Sequence, residues 1–291
     1  MTKVEVDGRR LELTNLDKPL YPDGFTKAEV IDYYTRVAPV MLPHLADRQV
    51  TRIRYPSGAQ ADGFFEKNAP AAKPSWVRVD GGLIVVDELA TLVWLAHLAA
   101  LELHTPQWTA TNGPEHPDRI VFDLDPTEPA GLDECRAVAQ ALRDRLAVDG
   151  LTAYPKTSGR KGMQVSCPVT ATAAQIADYA RALAGEFATA APDAVTDQMA
   201  KAGRRGKIFI DWSQNNPSKT TVCVYSLRAG PSPTVSTPVT WDEIAQGSFT
   251  AADFTPAVVL RRIDEYADLH APLLSAGPAL PTGSRKRRRR L

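Results

Sequence analysis

A chain of 291 residues that is 44% hydrophobic and 23% charged can bury a large core, in one large domain or two modules, which excludes a disordered or fibrous protein. It holds no apolar run of about 18 residues and opens without the apolar stretch of a secretory leader, so a cytoplasmic protein with no membrane partner is expected. The formal net charge is zero, yet Lys and Arg gather at 201–207 and 285–290, and because phosphate is bound by a local patch, nucleic acid is not excluded.

Residues 4–13 alternate apolar and polar around Asp7 and Gly8, which predicts a hairpin. The stretch 15–22 contains Pro19 and Pro22 and reads as a loop. Thr26 followed by Glu29 is a capping box, and the spacing of Val30, Tyr34, Val37 and Val40 predicts a helix over 27–42. Lys27 falls in its first turn, where the helix dipole favours anions, so a docked anion would account for it. Residues 49–55 read as a strand with Arg52 and Arg54 on one face. Phe64 and Phe65 are adjacent, so one is expected in the core and the other exposed, where stacking on a base contributes roughly 1–3 kcal/mol. Asp87 is expected to cap a buried helix over 88–102, with His104 following it as a structural residue.

The stretch 119–126 reads as a buried strand ending in two acids, Asp123 and Asp125, which flank Leu124 and share one face. A hard divalent cation relieves the repulsion of such a pair, although taken alone the pattern fits two solvated acids at least as well. Next come a helix over 131–148 that stops at Gly150 and a strand over 153–155. The basic turn 157–162 can offer backbone N–H groups, the Ser158 hydroxyl and the Lys161 ammonium to a phosphate, before a strand over 163–168 and an Ala-rich helix over 172–189. Cys135, Cys167 and Cys223 are far apart and are expected to be reduced packing residues.

Lys201, Arg204, Arg205 and Lys207 lead into 208–211, a second buried strand ending in an acid, Asp211, with Gln214, Asn215, Asn216, Lys219 and Arg228 as donors around it. Helices over 241–247 and 256–267 and a Gly/Pro-rich linker from 275 precede the basic tail, which can add salt-sensitive DNA affinity. If Asp123, Asp125 and Asp211 converge, they can hold two divalent ions of the kind that clamp the attacking and leaving oxygens in nucleotidyl transfer. The cations would then bind a triphosphate.

The motifs Asn15-x-Asp17-Lys18-x-Leu20-Tyr21-Pro22, Phe64-Phe65-Glu66-Lys67, Glu102-x-His104-x-Pro106-Gln107-Trp108, Val121-Phe122-Asp123-Leu124-Asp125-Pro126, Thr157-Ser158-Gly159-x-Lys161-Gly162 and Ile210-Asp211-Trp212-Ser213-Gln214-Asn215 occur in this order. Together they resemble the polymerase domain of bacterial DNA ligase D, in the archaeo-eukaryotic primase superfamily, over about residues 8–270. No ligase or nuclease module accompanies them, so a stand-alone member is expected. The resemblance implies an α+β primase-polymerase fold of two α/β modules around a catalytic cleft, about 1–115 and 116–275, followed by the linker and tail, 276–291. It implies Mn²⁺ or Mg²⁺, two ions, on Asp123, Asp125 and Asp211. It also implies that Arg52, His104, Ser158, Lys161, Gln164, Arg204, Gln214, Lys219 and Arg228 face the nucleotide. Lys18 and Lys27 match positions that hold a 5′-phosphate, and Phe64 and Phe65 match aromatics that pack on bases.

The activity so implied is templated addition of nucleotides, by preference ribonucleotides, at gaps or breaks during end joining or gap repair. Its expected partners are DNA with a gap, nick or 5′-phosphorylated end, nucleoside triphosphates and a separate ligase or end-binding protein, in the bacterial nucleoid. One departure stands out: the family motif Ser-Gly-x-x-Gly-x-His ends here in Gln164. A neutral amide cannot carry an imidazolium charge or move its proton, so nucleotide affinity is expected to fall on the order of tenfold. Two other functions compete: a non-catalytic module that binds DNA ends and recruits partners, and a haloacid-dehalogenase-like phosphatase built on 122–127. The second needs a later acidic pair, which the residues around Asp211 do not supply.

Overall fold

The alternation around Asp7 and Gly8 folds into a two-stranded ribbon, β1 (Thr2–Val6) and β2 (Arg9–Leu13), turning through two residues with positive φ. The structure is a computed structural model and describes residues 1–281, so the basic run 285–290 lies outside the described residues. Helix α1 (Lys27–Leu45) begins at the Thr26–Glu29 capping box and continues past 42 to Leu45. After it come β3 (Gln49–Arg54), β4 (Phe64–Glu66), β5 (Val79–Asp80), β6 (Leu83–Val85), α2 (Leu89–His97) and β7 (Ala100–Thr105).

One helix over 88–102 was the expectation here, and the structure corrects it. The helix ends at His97, Ala99 takes a φ of 59°, and the chain reverses into β7, a strand buried along most of its length. The end of that stretch, Leu101-Glu102-Leu103-His104, alternates apolar and polar as a strand does, but the largely apolar run before it masks the change of period. Asp87 caps nothing and pairs with Arg78 at 3.0 Å instead.

The rest of the chain forms β8 (Arg119–Pro126), α3 (Leu132–Val148), β9 (Tyr154–Thr157), β10 (Met163–Pro168), α4 (Ala173–Ala190), β11 (Val195–Thr196), β12 (Ile208–Asp211), β13 (Thr221–Val222), β14 (Leu227–Arg228), β15 (Thr234–Val235), α5 (Trp241–Gln246) and α6 (Pro256–Tyr266). Two larger sheets result, in the orders β13-β7-β3-β6-β5, with β4 against β3, and β11-β12-β8-β10-β9. The class is α+β, as expected.

The two sheets do not divide the sequence cleanly near residue 115. β13 comes from the later half yet pairs with β7, Thr221 opposite Thr105 and Val222 opposite His104, and so covers an edge that would otherwise be open. Nor is 276–281 a free linker. Thr170 donates its backbone N–H to the Pro278 carbonyl at 2.9 Å, and a Cβ on Gly277 would sit 1.9 Å from the Pro168 carbonyl oxygen, so glycine allows the chain to pass against the domain. In the second sheet Phe122 and Leu124 are fully buried in the core to which α3 contributes Cys135, Leu142 and Leu146. Pleating therefore turns Asp123 and Asp125 to the other face.

Candidate active site

Cross-strand register brings the acids together. Asp211 of β12 lies directly opposite Asp123 of β8, and Gln164 of β10 lies opposite Asp123 on its other side. Directly opposed residues share a face with Cβ atoms about 4.5–5.5 Å apart, so Asp211, Asp123 and Gln164 form a row. Lys156 of β9, opposite Gln164, extends it. Asp125 stands on the same face, with Phe209 as its partner in β12. Burial, then Asp125 and Asp211, raise the Asp123 carboxyl above the usual range; burial and Asp211 do the same to Asp125. Such crowding favours a bound cation.

The donor set is carboxylate oxygen without His or Cys, which suits a hard ion such as Mg²⁺ or Mn²⁺. The side chains are not drawn into a finished chelate, since among the described residues no three His, Cys, Asp or Glu groups are placed to hold an ion as they stand. Their present partners explain this. Asp211 Oδ1 accepts from the Ser213 backbone N–H at 3.0 Å and from the Ser213 hydroxyl, while Oδ2 accepts from Gln214 Nε2 at 2.8 Å. Asp123 Oδ1 accepts from Gln164 Nε2 at 3.0 Å, and Gln164 Oε1 is buried without a partner. Rotation of side chains frees these oxygens, whereas the shared face is set by the backbone. In that sense the residues fit the ion.

The other expected residues divide. Gln214 reaches Asp211, but Asn215 clasps the Val121 backbone, accepting its N–H at 2.8 Å and donating to its carbonyl at 2.7 Å, and Asn216 accepts from Ser218. Lys219 Nζ lies 4.0 Å from Asp211 Oδ2. Arg204 covers the Phe209 ring, 3.5 Å from its centroid, with donors folded onto the carbonyls of Gln198, Met199 and Ala200, and its charge reaches Asp125. Lys161 is exposed and pairs with Glu128 at 3.0 Å. Arg52 is only 1% exposed and binds through Nη2 to Glu66 at 2.6 Å and to the Asn68 carbonyl at 3.0 Å, bracing β4, while its Nε and Nη1 are buried without a partner.

Next to the row is a caged carboxylate. Glu102 of β7, 1% exposed, has His104 Nε2 at 3.2 Å and Arg228 Nη1 at 3.1 Å on Oε2, with Arg160 Nη2 at 2.7 Å and the Ala229 N–H at 3.1 Å on Oε1. Burial pushes this carboxyl up, but His104, Arg228 and Arg160 outweigh it and hold it down to about 2. The Asp123 charge in turn reaches Arg228, so cage and row adjoin. Ser158 Oγ accepts from the backbone N–H groups of Arg160 at 3.3 Å and Gly162 at 3.2 Å, leaving its own proton to donate. Gly159, at φ 72°, lets this turn press on Arg228, since a Cβ there would lie 2.6 Å from Arg228 Cγ.

Gly162 is tighter still, with a Cβ 2.3 Å from the Leu124 carbonyl oxygen. Gly162→Ala should therefore push β10 from β8 and cost about 1–3 kcal/mol in chemical denaturation, together with most activity. An alanine variant of wild-type stability would show that the turn yields freely. Sequence patterns missed Glu102 as the hub and Lys156 altogether. Buried Lys156 donates to the Val222 carbonyl at 3.0 Å and to Ser236 Oγ at 2.5 Å, and burial brings its ammonium down to about 7. In sequence Lys156 falls between the strand expected over 153–155 and the turn expected from 157, where nothing marks it as buried.

A third group lies around the start of α1. The Lys27 N–H donates to the Lys18 carbonyl at 2.9 Å, and the Lys27 ammonium, hydrogen-bonded to the Thr14 carbonyl at 3.2 Å, is lowered first by burial and then by Lys18 and Arg54. Phe64 and Phe65 are both exposed, 57% and 59%, where one was expected in the core. β4 is a short strand paired with β3, and neither of its aromatic faces is covered.

Comparison with known proteins shows the family. The family model "LigD, primase-polymerase domain" matches residues 26–270. The multifunctional non-homologous end joining protein LigD of Mycolicibacterium smegmatis is 43% identical over 92% of this chain and 37% of its own length. The bifunctional LigD of Bacillus subtilis is 36% identical over 87% of this chain and 42% of its own. The chain thus spans about two fifths of the length of these relatives. The polymerase domain of Mycobacterium tuberculosis ligase D, solved in complex with DNA, superposes with a TM-score of 0.86 at 39% identity, over 92% of this chain and 99% of that one. With its acids in register and its motifs in order, the chain belongs to the LigD primase-polymerase domain family of nucleotidyltransferases.

Proposed function

We propose that this domain is a template-dependent polymerase of end joining or gap repair, adding nucleotides, by preference ribonucleotides, to a primer 3′-hydroxyl at gaps or breaks that carry a 5′-phosphate. The observation that carries this is the register pair Asp123–Asp211 with Asp125 on the same face, beside a cation cage. The ribonucleotide preference rests on the family resemblance.

Two Mn²⁺ or Mg²⁺ ions on Asp123, Asp125 and Asp211 would supply the charge that activates the 3′-hydroxyl and steadies the departing pyrophosphate. The chain itself binds and orients. Lys219, Arg228 and Arg204 offer positive charge to a triphosphate, and the free Ser158 proton and His104 add hydrogen bonds. Gln164 holds Asp123 through Nε2 and moves no proton. Phe64 and Phe65 present aromatic faces for stacking on bases. No helix among the described residues is long and apolar enough to cross a membrane. A separate ligase would seal the product, in the nucleoid.

Extension of a gapped, 5′-phosphorylated duplex with ribo- or deoxyribonucleotides, in Mn²⁺ or Mg²⁺, tests the proposal. Templated products are expected, with ribonucleotides preferred, and absence of extension in every combination would refute it. For the end-binding role, Lys27→Ala should weaken binding to 5′-phosphorylated ends about tenfold and leave 5′-hydroxyl ends unaffected. An equal loss on both would reduce Lys27 to a general electrostatic contact.

A further inference from the structure

We propose that Arg160 is a further triphosphate-binding residue of this pocket, acting beside Arg228 across Glu102. The proposal rests on the polymerase function above and adds to it a residue outside the motifs, since Arg160 occupies the variable place between Gly159 and Lys161.

Charge balance is the first ground. Glu102 carries one negative charge and faces two guanidiniums, so cations outnumber anions within the cage even with His104 neutral, and the next anion that reaches it is Asp123, felt by Arg228. Arg228 is poorly solvated, 11% exposed with its Nε buried without a partner, whereas Arg160 stands at the solvent side of the cage. Arg228 already pairs with Glu102, so a second arginine brings repulsion without meeting an unmet need of the fold. Removal of charge from water is tolerated where an opposite charge arrives, and a polyphosphate would provide it.

Geometry is the second ground. Arg160 Nη2 is fastened by Glu102 at 2.7 Å and the Ala229 carbonyl at 3.3 Å, while the side chain as a whole stays 49% exposed. It is fastened through Nη2 while about half of the side chain remains in solvent. The same turn carries the free Ser158 proton, and Ser158 Oγ accepts the Arg160 backbone N–H, so hydroxyl and guanidinium start from one hydrogen-bonded turn. A planar fork held in this way suits phosphate oxygens better than a mobile ammonium does.

The test compares wild type with Arg160→Ala and Arg160→Gln, using nucleotide KM at saturating gapped DNA, inhibition by inorganic tripolyphosphate, and DNA affinity. Arg160→Ala is expected to raise both the nucleotide KM and the tripolyphosphate inhibition constant about tenfold, with DNA affinity unchanged. Unchanged KM and inhibition constants would overturn the assignment. So would a loss of DNA affinity in their place, because the phosphate contacted would then be that of the DNA backbone. Should the alanine variant fail to fold, Arg160→Gln, which keeps a donor for Glu102, decides by the same constants. If wild-type protein extends no primer, the polymerase function fails separately, and tripolyphosphate binding measured calorimetrically on wild type and variant still decides the role of Arg160.

Discussion

Replacing Asp123 and Asp125 together by Ala is expected to reduce extension of a gapped, 5′-phosphorylated duplex at least about 1,000-fold, which is about 4 kcal/mol of transition-state stabilisation. DNA affinity, measured by fluorescence anisotropy, should change little, because the residues proposed to hold DNA, Lys18, Lys27, Phe64 and Phe65, lie on other elements. Stability should hold or rise. Burial and mutual repulsion already lift both carboxyls, so in the absence of a cation their ionised forms work against the fold, and their removal relieves it. Loss of activity with an unchanged or higher Tm therefore separates chemistry from unfolding. A double variant that extends primers at the original rate would mean that the acids do not form the reaction centre.

Glu102→Ala is expected to have the opposite profile, with a large loss of stability. It strands Arg160, Arg228 and His104 around an empty centre, and breaking a buried ion pair from one side costs about 3–5 kcal/mol, on the order of 10 °C in Tm for a chain of this size. A cost below about 1 kcal/mol by denaturant titration would show that the cage contributes little.

The pH dependence of the same group has a definite sign. Its folded value, about 2, lies below the ordinary 4.5, so its contribution is fully present above about pH 4.5 and is lost as pH falls toward 2. The stability difference between wild type and Glu102→Gln should shrink across that interval. It should be flat from there to neutral pH. Because Glu102 sits on β7 while Arg160 and Arg228 come from later segments, both variants should also loosen the contact between the two sheets.

Several local features were legible before any tertiary information. Thr26 with Glu29 starts a helix where the capping pattern placed it, the Ala-rich helix expected over 172–189 runs from Ala173 to Ala190, and 163–168 and 208–211 are strands as expected. These are decided within a few residues, by a side chain that accepts its own helix's orphan N–H groups or by β-branched and apolar runs. Phe64 and Phe65 broke the expectation of one face in and one face out because that rule assumes a sheet with a core beneath it. β7 escaped because the alternation of Leu101, Glu102, Leu103 and His104 is only four residues long and follows directly on an apolar run that reads as helix.

Arg52, Arg160 and Glu102 illustrate a further gap. Each is a charged residue in a plausible stretch, and sequence spacing says nothing about which opposite charge will meet it. Arg52, on the face expected to greet a nucleotide, is paired through Nη2 with Glu66, while Arg160, in a variable position, is delivered to Glu102. Charge pairing is settled by long-range packing.

What the sequence by itself determined is the kind of residue at each strand end: two acids sharing one face of β8, one acid closing β12, and cations in the turns beside them. Only the tertiary structure decided that Asp211 lies opposite Asp123, that Gln164 occupies the other flank, and that Glu102 gathers its cations. The reason is physical. Alternation along a strand is a local property of the backbone, whereas the register between strands distant in the chain is chosen by burying both apolar faces at once, and a slip of one residue would turn Asp211 into the core and leave Asp123 without its partner.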